Sequence, residues 1–418
     1  MVRFLALLFI VFAAICLWHL HTIVKLDISH NSSEHIGPWF ALLLLTLFVG
    51  GLAAFFVLLF SVLKPVWVIN ALVLFASLWL SLTVAEYFIR YTNRFATYLE
   101  QRDGFYRSYF NIKPETRYLT WGNTKEHWFS CPEFRYWRPT NRHGLGEYDF
   151  DSLSRLPGIK IMAMGDSFTE GDGAPYDSSW IKQLGAMLNY QRLKTNPIVT
   201  LNAGICANDP VYSVMQFKEE LVQYKPDIAI LCINENDIHD VKARGGLERF
   251  KPDGSLVVPQ NPWWEPFYAE SHLLRFYLHY ILGYDHNFIT YDEFEKSKSV
   301  YADKLKDVFS LFAKTCAENK IRPVIVMIPI RDELRQKQYL DYLDSVRVRI
   351  TALPSVTLVD VLKYELSLPV GEADAQKIYW KEDNHMNSEG YKIMARAIKN
   401  QIDTFSELKQ IEQDNLAY

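Results

Sequence analysis

The sequence predicts an open α/β sheet of parallel strands behind a set of membrane helices, and three observations carry that expectation. Over residues 158–405, apolar runs of strand length alternate with helical patterns, the signature of strand–helix–strand crossovers. Those runs are mostly continuous in hydrophobicity, as parallel strands covered on both faces require. Before residue 90 the composition is different. Residues 4–18 contain no polar side chain, and neither 38–63 nor 65–85 contains a charge.

Taken in order, the N-terminal runs predict three helices at about 4–24, 38–63 and 65–88, the last two meeting the roughly 20-residue length that crosses a bilayer. Only Lys64, with Pro65 after it, separates them, so they read as a hairpin. The first run competes with a cleaved leader, with Arg3 as its positive end. No small-x-small cleavage site comes after it, and Ile15 before Cys16 makes a poor lipoprotein box. Orientation is balanced: an inside amino terminus places everything past residue 90 outside, whereas Arg90 and Arg94 directly after the third helix argue the reverse. That charge rule weakens for long translocated domains, and an extracytoplasmic domain is the reading adopted.

Residues 96–157, rich in Arg, Tyr and Trp, are expected to be a connector with one or two short strands. Strands are expected at 159–164, 197–203, 227–234, 322–329 and 356–361, with helices at Ser178–Leu188, Val211–Tyr224, Ser297–Asn319, Asp332–Ile350 and 388–402. Residues 240–296 interrupt the alternation as an insertion, and 406–418 form a tail. The aromatic stretch 261–284 within the insertion suits an acceptor groove, a bilayer surface or, more ordinarily, an amphipathic helix on its own core.

With 418 residues, a net charge of −4 and a pI near 6.3, the chain has room for more than one folded unit and no basic character to recruit nucleic acid. Cys131, Cys206, Cys232 and Cys316 show no metal-ligand spacing, so no metal or other cofactor is expected.

The residues just past each strand are decisive. Gly165-Asp166-Ser167 ends the first, Asn202-Ala203-Gly204 the second, Asn234-Glu235-Asn236-Asp237 the third, and Asp383 and His385 stand before the last helix. In an open sheet these loops share one edge, where ligands bind. A serine hydroxyl becomes a nucleophile when an imidazole takes its proton, the imidazole needs a carboxylate to hold its tautomer, and the oxyanion needs amide donors.

The four blocks, in this order, resemble the SGNH (GDSL-type) hydrolases over about residues 158–402. The resemblance implies a flavodoxin-like three-layer sandwich and hydrolysis or transfer of O-acyl groups. It implies Ser167 as nucleophile, His385 as base and Asp383 as its carboxylate, with Ser167, Gly204 and Asn236 lining the oxyanion hole. The chain departs from the family where Asn234 and Ala207 replace glycines. Many relatives have Asp-x-x-His, which would make Glu382 the acid. Asp383 is preferred because residues two apart in an extended segment point the same way. Ser167 alone would read as a turn residue, Asp166 as a turn acid, Asn387 and Ser388 as helix caps, and His239 is the rival imidazole.

Membrane-tethered members resemble enzymes that add or remove O-acetyl groups on envelope polysaccharide. The expectation is therefore a multi-pass protein of a bacterial inner membrane, acting at its outer face on acylated glycan, with a membrane acyltransferase as a candidate partner. The alternatives are an esterase, lipase or thioesterase on lipid-linked acyl chains, and a non-catalytic glycan-binding protein.

Overall fold

The computed structural model describes residues 65–92, 126–190, 196–252, 256–257, 268, 271–284, 290–406 and 408. The expected helices at 4–24 and 38–63 and the tail lie outside these residues, apart from 406 and 408. Two compact units are present, Met1–Phe105 with Gln260–Tyr291, and Tyr106–Pro259 with Asp292–Tyr418.

In the first unit the helix Pro65–Tyr91 runs for 27 residues. Leu74, Leu78, Leu80, Val84 and Phe88 are exposed around it. Near its end Glu86 accepts hydrogen bonds from Ser271 Oγ at 2.9 Å, His272 N at 2.9 Å and Leu273 N at 2.7 Å. The carboxylate thereby satisfies amides that open the short helix His272–Phe276, where backbone N–H groups lack intrahelical partners. The expected insertion is thus divided: residues 260–291 belong with the N-terminal helix, while the helix Asn236–Arg244 and the turn Leu247–Arg249 stay with the second unit. Among the described residues no helix is long and apolar enough to count as a membrane span, so the expected crossings stand as a proposal.

Among the described residues the second unit begins with a hairpin of β1 (Glu126–Ser130) and β2 (Arg135–Pro139). Its body is built on five parallel strands, β3 (Ile159–Gly165), β4 (Ile198–Gly204), β5 (Ile228–Ile233), β6 (Arg322–Met327) and β7 (Thr357–Asp360), in the order β4-β3-β5-β6-β7. β5 is buried along its whole length, which is why its sequence is continuously apolar. Each fully buried Ile or Leu there contributes roughly 1.5–3 kcal/mol. The chain runs from β3 outward to β4 and returns across β3 to β5, so the order reverses at β3. The crevice beyond the carboxyl ends at such a reversal is where open sheets bind ligands.

The helices match the periodicity with three differences. The segment after β4 is α-helical over Pro210–Gln216, then widens over Phe217–Leu221 and tightens over Val222–Tyr224. Tyr291–Glu318 begins earlier than its expected start. The expected helix Asp332–Ile350 is two helices, Arg331–Gln336 and Asp341–Thr351, because Lys337 adopts a left-handed φ of 59° that ends the first. The closing helix is Ser388–Ile402, capped by Asn387, whose side chain accepts from Glu389 N and Gly390 N.

Candidate active site

The nucleophile candidate sits where β3 stops. Gly165 takes a φ of 150°, and Asp166 then caps the short helix Ser167–Glu170 by accepting from Phe168 N at 3.0 Å. Ser167 is therefore the first residue of a helix, 9% exposed, with its backbone N–H unbonded to any other described residue. Its carbonyl accepts from Gly171 N and Asp172 N, which closes the turn.

On the opposite side, His385 and Asp383 come from an irregular loop before the last helix. His385 Nε2 lies 2.8 Å from Ser167 Oγ, and its Nδ1 lies 2.5 Å from Asp383 Oδ1. With the ring proton on Nδ1, the hydroxyl donates to Nε2 and the imidazole donates to the carboxylate. Glu382 is exposed, and its contact in this region is made by its backbone N–H, which donates to Glu133. The geometry thus joins Asp383, and not Glu382, to the imidazole. His239 stacks on Phe294 at 3.9 Å between ring centroids, in an aromatic group with Tyr342.

The oxyanion candidates fare differently. Asn236 opens the helix after β5, is exposed, and its side-chain amide makes no hydrogen bond to another described residue. Gly204 requires a correction. Its N–H donates to the side-chain Oδ1 of Asn202 at 3.0 Å, so the donor expected to face the oxyanion is already used. The glycine is needed for another reason: a Cβ there would lie 2.4 Å from Glu170 N. The loop beyond turns at Ala207, left-handed with φ 61°, whose N–H is unbonded to other described residues and whose carbonyl accepts from Arg244 Nη1 at 2.8 Å.

Sequence reasoning missed the groups that brace this arrangement. Asn234 Nδ2 donates to Asp166 Oδ2 at 2.5 Å, its Oδ1 accepts from Asn236 N at 3.1 Å, and its own N–H donates to Asp237 Oδ2 at 2.7 Å. One side chain therefore ties the serine turn to the Asn236 loop. The available signal was the departure from the family's glycine at that position. Asn202 Nδ2 donates to the carbonyls of Thr169 and Glu170, and Glu170 accepts from Cys206 N at 2.6 Å. The connector contributes as well. Buried Arg138 donates to the carbonyls of Gly171 and Ala174, and buried Glu147 accepts from Asn202 N and pairs with Lys182 at 2.5 Å.

Carboxylates set the electrostatics. Burial pulls the His385 imidazolium down, but the hydrogen bond to Asp383 and the charges of Asp172, Asp383 and Asp166 outweigh it, and its pKa is raised above 6.5. Burial lifts the Asp383 carboxyl, yet its bonds to His385 leave it below the ordinary value. Asp166 and Asp237, buried close together, are both raised, chiefly by desolvation. Burial also pushes Asp172 up to about 6, against the lowering fields of His385 and Arg138. Among the described residues no group of side chains has the arrangement of a metal site.

No protein-family model matches the sequence, and no curated protein matches it. Solved structures are similar in part. A two-domain esterase active on acetylated mannans is 12% identical, with 60% of this chain and 51% of that one covered and a TM-score of 0.36. A family 3 carbohydrate esterase from Clostridium thermocellum is 14% identical, with 59% and 96% covered and a TM-score of 0.33. A lipase/acylhydrolase from Enterococcus faecalis is 15% identical, with 58% and 95% covered and a TM-score of 0.33. At such scores the likeness does not bear on the reaction, which is argued from the site.

Proposed function

We propose that the chain is a serine-dependent O-acyl ester hydrolase or O-acyltransferase working through an acyl-serine intermediate. The observation that carries this reading is the unbroken relay of Ser167 Oγ, His385 and Asp383, at 2.8 and 2.5 Å. Ser167 Oγ attacks the ester carbonyl while His385 Nε2 takes its proton, and Asp383 stabilises the imidazolium. The carbonyl oxygen gains the negative charge and is met by Ser167 N–H, the Asn236 amide and, because the Gly204 N–H is engaged by Asn202, the main chain at Ala207. Collapse breaks the bond to the alcohol, which leaves with the proton from Nε2. Water or a sugar hydroxyl then gives its proton to His385 and attacks the acyl-serine. Collapse breaks the bond to Ser167 Oγ, which takes that proton back from Nε2 as the acid or new ester leaves.

The substrate assigned is O-acetyl on cell-envelope polysaccharide, with the catalytic domain held at the outer face of a bacterial inner membrane. This finer reading rests on the resemblance to membrane-tethered SGNH domains and on the uncharged runs 38–63 and 65–85. The apolar side chains exposed around Pro65–Tyr91 suit a lipid environment. Acetyl release from aryl acetate and from acetylated glycan, each with and without an acceptor sugar, tests it. Glycan turnover supports the assignment, and acceptor-dependent product marks a transferase. Turnover of long acyl esters only would replace the glycan with a lipid-linked substrate, and no turnover of any ester would remove the enzymatic reading.

A further inference from the structure

The acid–base loop has little regular structure of its own. It runs from Trp380 to Asn387 between a short helix, Ala375–Ile378, and the last one, and Asn384 within it takes a left-handed φ of 70°. A side chain some 250 residues earlier in the chain grips it. Glu133, at the turn of the β1–β2 hairpin, places one carboxylate against three successive amides. Its Oε1 accepts from Lys381 N at 3.0 Å, and its Oε2 accepts from Glu382 N at 2.7 Å and Asp383 N at 2.9 Å.

The neighbouring contacts favour the same placement. Phe134 packs on Trp380 with ring centroids 5.4 Å apart. Trp380 Nε1 donates to Gly173 O at 2.7 Å, and Arg331 Nη1 donates to the carbonyls of Trp380 and Lys381. Of these groups, Glu133 alone reaches the backbone of Asp383. An ionised acceptor facing consecutive N–H groups makes strong, directional bonds, and here they fix the peptide from which the Asp383 side chain projects toward His385.

We propose that Glu133 is a positioning residue: it orders residues 381–383 so that Asp383 stays on His385 Nδ1. The proposal rests on the catalytic reading of Ser167, His385 and Asp383. A carboxylate suits the role because both its oxygens accept, whereas an amide in its place offers one acceptor oxygen and turns an N–H₂ group toward donors. Glu133 is partly exposed, so water can solvate the three amides when the side chain is removed. The loss then falls on loop order and not on the fold.

The test compares wild type, Glu133→Gln, Glu133→Ala and Glu382→Gln in the full chain. It measures melting temperature, kcat and KM on an aryl acetate, and the rate of Ser167 labelling by a fluorophosphonate. Glu133→Ala is expected to lower kcat and labelling rate about 10- to 100-fold, the scale of a misplaced catalytic group, with KM and melting temperature held. Glu133→Gln falls between it and wild type, and Glu382→Gln matches wild type. Unchanged kcat and labelling in both Glu133 variants would overturn the proposal. So would a loss confined to KM, or a collapse of melting temperature in Glu133→Gln as well as Glu133→Ala, which would make the residue structural. Failure of wild type to label at Ser167 would instead remove the catalytic reading beneath it.

Discussion

The two halves of the site are built in different ways. Ser167 and Asn236 stand at the ends of adjacent strands, β3 and β5, whose ladder fixes their separation, and Asn234 locks one turn to the other from within the core. Asp383 and His385 stand on a loop outside the sheet, held by a hairpin on one side and by a glycine carbonyl on the other. Ser167 is thus positioned by the fold itself, whereas His385 is positioned by side chains that the fold does not require. Damage to the buried groups that brace the first side should therefore cost stability along with rate, and damage to those that brace the second should cost rate alone.

Substitutions probe this contrast from either side. The largest effect is expected from Ser167→Ala, which removes the attacking oxygen. Ester turnover should fall about 10⁴- to 10⁶-fold, with the melting temperature kept. Asp383→Asn comes next, at about 10⁴-fold in kcat by loss of the tautomer that presents Nε2 as acceptor. Glu382→Gln, assayed beside it, should stay within about twofold, as exposed substitutions away from a network usually do. A larger loss from Glu382 than from Asp383 would reverse the assignment of the acid. Asn236→Ala should lower kcat about 10²- to 10³-fold with little change in KM, as for an oxyanion donor.

Two smaller effects separate the halves further. Asn234→Ala leaves the buried Asp166 carboxylate without its amide donor and the Asn236 N–H without its acceptor. Chemical denaturation should report a loss of about 1–3 kcal/mol, unlike any change on the loop side. The pH dependence comes from His385, which must be neutral to accept a proton. Because its carboxylate neighbours raise its pKa above 6.5, activity should be lost as pH falls through a midpoint above that value. In the residual activity of Asp383→Asn, where the largest raising contact is gone, the midpoint should move down. A midpoint below 6.5 in wild type would show the carboxylate field to be weaker than described.

The same difference explains which features were legible in the sequence. Strand runs such as Ile159–Met164 are legible because burial on both faces forces continuous hydrophobicity, and the sheet order then brings Ser167 and Asn236 together. Asp383 and His385 do meet, but not by the alternation of an extended segment. Asn384 between them takes a left-handed φ of 70°, and His385 N donates to Asp383 Oδ1 at 3.3 Å, so a tight turn brings the carboxylate to the ring. Glu133 was invisible because nothing local distinguishes a hairpin glutamate whose partners lie so far along the chain. The break at Lys337 was hidden by a helical pattern that continues through it. Gly204 was expected among the oxyanion donors because the resemblance places it there, whereas its N–H is taken by Asn202 and its missing Cβ permits close approach to the backbone of Glu170. The division of the 240–296 stretch was hidden likewise, since its aromatic composition says that it packs but not against what.

Whether Ser167 is an activated nucleophile is decided by locating the site of covalent capture. The full chain is treated with a fluorophosphonate, digested, and the modified residue identified by mass spectrometry. A single adduct on Ser167 is expected, abolished in His385→Ala, where the hydroxyl is no longer activated. An adduct elsewhere, or one on Ser167 that forms equally fast without the imidazole, would contradict the relay of serine, histidine and aspartate.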